Sequence, residues 1–409
     1  MRLVLSVEAI HPPLAGIGRY AWELATRCRS HPGIESVRFI SHGRWVNLPK
    51  IEPQVSPALP VPTQSAPVEV QLNYKGRMRR RIEQIPNVIR RQVRQSSFLS
   101  RAYGKVAPLL ANMSLRSQRD AVFHGPNYFV PSSGLPSLVT VHDLSMYRFP
   151  QWHPKARIER ILESLPQSIE RSQLVLTDSE AIRLEVIEQF GLQAEKVRTI
   201  LLGVDQIYHP RSEEEVRPVL EKFGLRYNAY SFFVSTIEPR KNLRNLIAAY
   251  KLLPLDVRRQ YPLVLAGGRG WESDDIHADI VAAQNESWLK YLGFVEQHEM
   301  PALYAGCRLF TYPSWYEGFG LPIAEAMASG VPVVTSNNSS MPEVAGGAAL
   351  LVEPGDVEQI SAAIHKGLED HQWRLEAIAK GRTRAAQLTW DSCVANTVEA
   401  YKYVHQMSQ

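Results

Sequence analysis

Cysteine is scarce in this chain. Its 409 residues include three, Cys28, Cys307 and Cys393, far apart and odd in number. That excludes a disulfide framework and a Cys-x-x-Cys metal site, and it suits a reducing compartment. Long apolar runs are also missing. No stretch approaches the roughly 18 uninterrupted apolar residues of a membrane span. The longest uncharged stretches, Ala121–Val141 and Ala326–Pro342, are broken by Pro, Gly, Ser and Asn. Met1–Glu8 is too short and too soon acidic for a signal peptide, so the expectation is a cytoplasmic protein.

What is present is ordinary globular material, 44% apolar and 21% charged, long enough for two or three domains. The net charge of +5 is unevenly spread. Between Lys75 and Arg119 stand twelve basic residues and one acid, Glu83, giving +11; the remainder, with 34 basic and 40 acidic residues, is −6. No nucleic-acid motif accompanies the basic block, and no aromatics interleave it between Arg77 and Arg94. One reading is a solvated insertion. The other is a helix lying against an anionic lipid surface, with Ile82, Ile85, Val88, Ile89 and Val93 at roughly helical spacing.

The pattern along the chain is α/β. Arg2–Val7, Val37–Ser41, Ala121–Phe123, Ser137–Val141, Gln173–Thr177 and Val197–Leu201 read as short buried strands, with helices at Ile17–Arg29 and Glu180–Phe190. Asn47–Val70 holds six prolines and reads as an extended loop. A second unit repeats the rhythm with strands at Tyr230–Ser235, Tyr261–Ala266, Leu309–Tyr312 and Val331–Thr335, and helices at Asn242–Leu252, Met300–Gly306 and Pro322–Ser329. The expected division is residues 1–205 with the basic insertion at 71–120, an irregular linker at 206–226, a second domain at 227–385 and a final helix at 386–409.

Four places carry candidate chemistry, each at a strand's carboxyl end or a helix start, where parallel sheets bind ligands. Gly16-Ile17-Gly18-Arg19-Tyr20-Ala21 fits a dinucleotide-binding glycine loop, but it stands eight residues beyond Val7. The acid expected about 20 residues further on is replaced by Ser41-His42-Gly43-Arg44. A simple tight turn, or phosphate binding on backbone amides, remain the readings. Glu238-Pro239-Arg240-Lys241-Asn242 offers two adjacent cations suited to a diphosphate, against a solvated basic turn. In Glu317-Gly318-Phe319-Gly320-Leu321-Pro322-Ile323-Ala324-Glu325, two glutamates flank glycines that let a ligand approach the backbone. Glu325 is either a partly buried acid with a hydroxyl partner or a helix-dipole residue. His142, at the end of Leu138–Val141, can donate to a hydroxyl or accept a proton, or be structural.

Together these residues resemble the retaining glycosyltransferases of family 4. The resemblance covers nearly the whole chain and rests on Gly16–Arg19, Val141-His142-Asp143-Leu144-Ser145, Glu238–Asn242, the Glu317/Glu325 pair, Ser336–Val344 and Val352–Asp356. It implies the GT-B fold: two Rossmann-like parallel-sheet domains facing across a cleft, with a C-terminal helix crossing back to the first. The second domain would bind a nucleotide-sugar and the first an acceptor.

The resemblance also implies roles. Arg240 and Lys241, helped by the Gly16 and Gly18 amides, would neutralise the donor diphosphate. Glu325 would hold the ribose. Glu317 and the amides of Phe319, Gly320 and Leu321 would hold the transferred sugar, with His142 near its C6 side. Phe294 and Val295 would contact the base. No metal and no cofactor beyond the donor are implied, and no Asp-x-Asp motif is present. Tyr147–Pro154 is similar to the corresponding stretch of mannosyltransferases of bacterial O-antigen assembly. The expectation is therefore transfer of mannose from GDP-mannose to a lipid-linked saccharide at the inner face of the cytoplasmic membrane, with the 75–119 block as the membrane contact and no nucleic-acid partner. GDP-rhamnose or a UDP-hexose as donor, a GT-B epimerase, a non-catalytic nucleotide-sugar-binding protein and a two-Rossmann NAD enzyme are the rivals.

Overall fold

A computed structural model describes residues 1–409 except 12, 13, 15, 50–110, 119 and 272. Most of the proline-rich loop and of the basic block, including Arg77–Arg101, lies outside the described residues, so the membrane-surface expectation rests on sequence.

Seven strands form the first sheet: β1 (Arg2–Ser6), β2 (Ser36–Ser41), β3 (Arg44–Val46), β4 (Ala121–Gly125), β5 (Ser137–Val141), β6 (Leu174–Thr177) and β7 (Val197–Thr199). Their order is β3-β2-β1-β4-β5-β6-β7. Every pairing is parallel except β2–β3. That hairpin turns on His42-Gly43, with φ of 51° and 77°, as a two-residue loop joining antiparallel strands requires. The inner strands β4, β5 and β6 are buried along their whole length, which explains their unbroken apolar character.

The second sheet has six parallel strands: β8 (Ser231–Val234), β9 (Leu263–Ala266), β10 (Leu289–Tyr291), β11 (Leu309–Tyr312), β12 (Val333–Ser336) and β13 (Ala349–Val352), ordered β10-β9-β8-β11-β12-β13. Each sheet reverses its order once, at β1/β4 and at β8/β11. Those switch points are where an α/β sheet opens a crevice beyond its strand ends.

The stretch read as an irregular linker is partly helical. Ser212 starts the helix Glu213–Lys222 with a capping box: its hydroxyl accepts from the Glu215 amide, and Glu215 accepts from the Ser212 amide at 2.7 Å. Val216 and Leu220 anchor it to the second domain's core. Three successive glutamates and Pro218 hid this helix in the sequence.

The C-terminal helix does cross back. Asp370 caps the helix His371–Gln387, which packs on the helix Leu321–Ala328 of the second domain. The chain breaks at Leu388-Thr389, where Thr389 pairs with Val204 and caps the helix Trp390–Gln406. Val394, Val398, Tyr401 and Val404 of this last helix are buried in the core shared with Leu3, Leu138 and Leu174 of the first sheet. Each such burial is worth about 1.5–3 kcal/mol, enough to fasten the second domain's tail to the first. Among the described residues, no helix is long and apolar enough to cross a membrane.

Candidate active site

Between the two switch points lies a cavity of about 620 Å³ lined by both domains. That is within the size range of small-molecule sites. Its floor in the second domain is built by two loops. The first follows β8. Pro239, Arg240 and Lys241 make a single 3₁₀ turn, and Asn242 takes a left-handed conformation at φ 60°. The Asn242 side chain donates to the carbonyls of Pro313 and Pro354 at 2.8 and 2.7 Å, so this turn is pinned against the loop after β11.

That second loop carries Glu317. The run Asn338-Ser339-Ser340 braces it: Asn338 donates to the Trp315 carbonyl, Ser339 and Ser340 to that of Glu317, and Ser340 also to that of Phe319. Gly320, at φ 99°, then turns the chain into the helix Leu321–Ala328. Only glycine enters this backbone region without strain.

The cations and the first glutamate meet. Lys241 donates to one carboxylate oxygen of Glu317 at 2.6 Å and Arg240 to the other at 3.0 Å. Arg240 also bonds Glu238 at 3.0 Å and the Tyr316 carbonyl at 2.7 Å, and Lys241 the Tyr312 hydroxyl at 2.9 Å. Glu317 is 6% exposed and Lys241 8%. Burial opposes ionisation of Glu317, but the charges of Arg240 and Lys241 override it and hold the carboxyl down at about 2. Burial and the neighbouring Arg240 charge lower Lys241. Arg240 is held above its ordinary value, its three acidic neighbours Glu317, Asp143 and Glu238 outweighing burial. The group is therefore a preformed, charged cluster able to exchange one carboxylate contact for the oxygens of a diphosphate.

Glu325 lies apart from this cluster, on the helix Leu321–Ala328. Tyr304 donates to it at 2.8 Å. Burial pushes its carboxyl up to about 7, against the Tyr304 and Tyr208 hydroxyls and the charge of Arg19. A half-protonated carboxyl can accept from, or donate to, vicinal hydroxyls. Phe294, Val295, Phe319, Gly320 and Leu321 also line the cavity, Phe294 at its open edge with 59% exposure.

In the first domain, Gly16 opens the helix Gly16–Cys28 and lines the cavity with Ile17, Arg19 and Tyr20. Gly18 does not line it. A Cβ there would come within 2.9 Å of the Ala9 carbonyl oxygen, so this glycine lets the helix pack closely on its preceding loop.

His142 sits at the end of β5. It lines the cavity, but its Nε2 donates to the Pro126 carbonyl and its Nδ1 shares a proton with Asp178, both at 2.7 Å. Burial lowers the imidazole and Asp178 raises it, with a net rise. Both ring nitrogens are thus engaged by partners within the first domain. Its main chain also meets the second domain: Gly318 packs directly on the His142 carbonyl oxygen, 2.0 Å from where a Cβ would stand.

Other contacts join the two domains across the cleft. Ser179 donates to the Gly318 carbonyl at 2.8 Å, and Tyr316 donates to Glu185 at 2.8 Å while accepting from the Leu144 amide. Glu343 accepts from the Glu180 amide at the start of the helix Glu180–Phe190. Sequence reading missed these residues, and also Arg19, which pairs with Glu23 and Asp205 beside Glu325. Arg19 was visible within the glycine motif; nothing in the sequence singled out Asp178, which immediately precedes the capping Ser179 of the helix Glu180–Phe190.

A model described as Glycosyltransferase Family 4 matches residues 15–206, and one described as Glycosyl transferases group 1 matches residues 221–384. The O-antigen chain mannosyltransferase B of Escherichia coli is 38% identical over 403 residues, 98% of this chain and all of that protein.

The chain belongs to glycosyltransferase family 4.

As a member it is an enzyme of the hexosyltransferase class, which removes the NAD-dependent and non-catalytic readings. The serotype-specific mannosyltransferase WbdA of Escherichia coli is 31% identical over 246 residues, covering 59% of this chain and 30% of WbdA. Two solved structures share the fold of the glycosyltransferase at low identity. WaaG, a glycosyltransferase involved in lipopolysaccharide biosynthesis, superposes with a TM-score of 0.69 at 14% identity, over 98% of this chain and 99% of that one. HepE from Anabaena, in complex with UDP-glucose, does so at 0.67 and 17%, over 98% and 100%. The architecture is GT-B.

Proposed function

We propose that this glycosyltransferase moves mannose from GDP-mannose, with retention of anomeric configuration and without a metal, to a lipid-linked saccharide in bacterial O-antigen assembly. The observation that carries the reading is the Arg240–Lys241–Glu317 cluster. It sits at the switch point of the second sheet, beneath a cavity of about 620 Å³ and across from the glycine-loop helix start. The relative named as an O-antigen mannosyltransferase, matched end to end, supports mannose and the pathway class.

In this reading the diphosphate lies over Arg240 and Lys241, facing the Gly16 end of the first domain's helix. Glu317 and the Phe319–Leu321 amides hold the hexose, Glu325 takes the ribose hydroxyls, and Phe294 and Val295 flank the base. Two cations and a helix start stabilise the leaving diphosphate, the task a divalent ion would otherwise perform. The departing diphosphate oxygen accepts the proton of the acceptor hydroxyl as it attacks from the same face, so no nucleophile and acid carboxylate pair is needed. The basic block Lys75–Arg119 holds the enzyme on an anionic membrane at its cytoplasmic side.

A panel of GDP-mannose, GDP-rhamnose and UDP-hexoses examined by saturation-transfer NMR tests the donor. Saturation of both guanine and mannose protons supports the reading. Saturation of only a uridine donor replaces GDP-mannose with a UDP-hexose.

A further inference from the structure

The segment Tyr147–Pro154 contains a buried group that the donor site does not use. His153 follows the 3₁₀ turn Pro150–Trp152 and precedes Pro154, which confines it to extended backbone; its φ and ψ are −129° and 147°. The residue is 6% exposed and lines the cavity, and neither Nδ1 nor Nε2 has a hydrogen-bond partner. Leaving a buried polar group unpaired costs about 1–3 kcal/mol, so a site partner is called for. The indole of Trp271, from the other domain, lies 6.2 Å from the imidazole, ring centre to ring centre, tilted by 36°. Asp143 and Arg157 border the same part of the cavity.

Burial and the charges of Arg157 and Arg240 keep the His153 imidazole below its ordinary value. A neutral imidazole presents one donor and one acceptor, the same pair that a sugar hydroxyl presents in reverse. An aromatic face beside such a pair suits the apolar side of a pyranose ring. The nucleotide-binding elements lie in the second domain, whereas His153 belongs to the first.

We propose that His153 binds a hydroxyl of the acceptor saccharide, with Trp271 beside the same ring. This rests on the proposed function, which assigns the second domain to the donor. The binding energy sits on the acceptor side of the cavity, so loss of the imidazole separates the two substrates.

The test is saturation-transfer NMR on the full-length enzyme with GDP together with methyl α-mannoside and α-mannobioses. His153→Ala should lower the mannoside signals at least fivefold, and His153→Gln, which keeps one donor and one acceptor, should restore part of them. GDP signals and the melting temperature should stay at wild-type values in both variants. In turnover, the acceptor KM should rise at least tenfold with the donor KM unchanged. Undiminished mannoside signals in His153→Ala overturn the proposal. So does parallel loss of GDP and mannoside signals with a lowered melting temperature in both variants, which is the mark of a structural role. A wild type that binds GDP but none of the mannosides overturns it as well. A wild type that binds no GDP counts against the donor reading, so the two failures are told apart.

Discussion

Lys241 Nζ stands 2.6 Å from Glu317 Oε1. That bond joins the loop after β8 to the loop after β11, the two strands at which the second sheet reverses its order. A buried ion pair of this kind is weak evidence of stability, because removing charges from water is costly. Here it sits in the cavity wall with Arg240 on the other carboxylate oxygen, where an incoming anion can compete for both cations.

Replacing Glu317 therefore separates charge from shape. In Glu317→Gln, kcat/KM for transfer should fall at least tenfold, about 1.4 kcal/mol or more of transition-state stabilisation. GDP should bind as well as before or more tightly, because both cations lose an internal competitor. The double variant Arg240→Ala with Lys241→Ala should lose both transfer and GDP affinity. Steady-state kinetics and calorimetry separate the cases, and unchanged kcat/KM in these variants sinks the site assignment.

Gly318 is one of the contact points of the two domains. A methyl group there would lie 2.0 Å from the His142 carbonyl oxygen, closer than any tolerated contact. Gly318→Ala should hold the cleft open, lowering kcat/KM at least tenfold while GDP binding in the second domain survives. Wild-type turnover would mean that this closed contact is dispensable.

Glu325 predicts a pH signature. Its carboxyl is raised to about 7 in the fold, against about 4.3 in an unfolded chain. Between those values the folded protein binds the proton and the unfolded chain does not, so stability falls as pH rises from about 4.3 to about 7 and then levels. Glu325→Gln lacks this dependence. Its unfolding free energy should gain on the wild type's across that interval, by on the order of 4 kcal/mol at most, and the difference should stay level above it. A gap independent of pH would contradict the buried-acid account.

The basic block makes its own prediction. Reversing the charges of Arg79, Arg80, Arg81, Arg90 and Arg91 should abolish sedimentation with anionic liposomes, since each basic residue near such a surface contributes about 1 kcal/mol. Undiminished binding would rule out this block as the membrane contact.

Much of the second domain was legible because it is dictated locally. Parallel strands such as Phe232-Phe233-Val234 and Val333-Val334-Thr335 are short apolar runs, the second led in by Gly330 and Pro332, and the Glu317–Glu325 loop carries its own glycines and helix start. Two elements were missed: the capped helix Glu213–Lys222, disguised by its run of glutamates and the Pro218 inside it, and the edge strand Ala349–Val352, a short apolar run whose burial is incomplete. Within the site, the partners of each motif were hidden. Sequence shows His142 at a strand end but not Asp178 and Pro126 on either side of its ring. It shows Gly18 in a loop but not the Ala9 carbonyl against it. His153 was invisible for a related reason: an unpaired imidazole is recognised only once its surroundings are known.

The most direct measurement is the stereochemistry of the product formed from GDP-mannose and a mannoside acceptor in excess EDTA, followed by proton NMR. The account predicts GDP release together with a new α-linked mannose signal at undiminished rate. A β-linked product, or loss of turnover that Mg²⁺ restores, would contradict it.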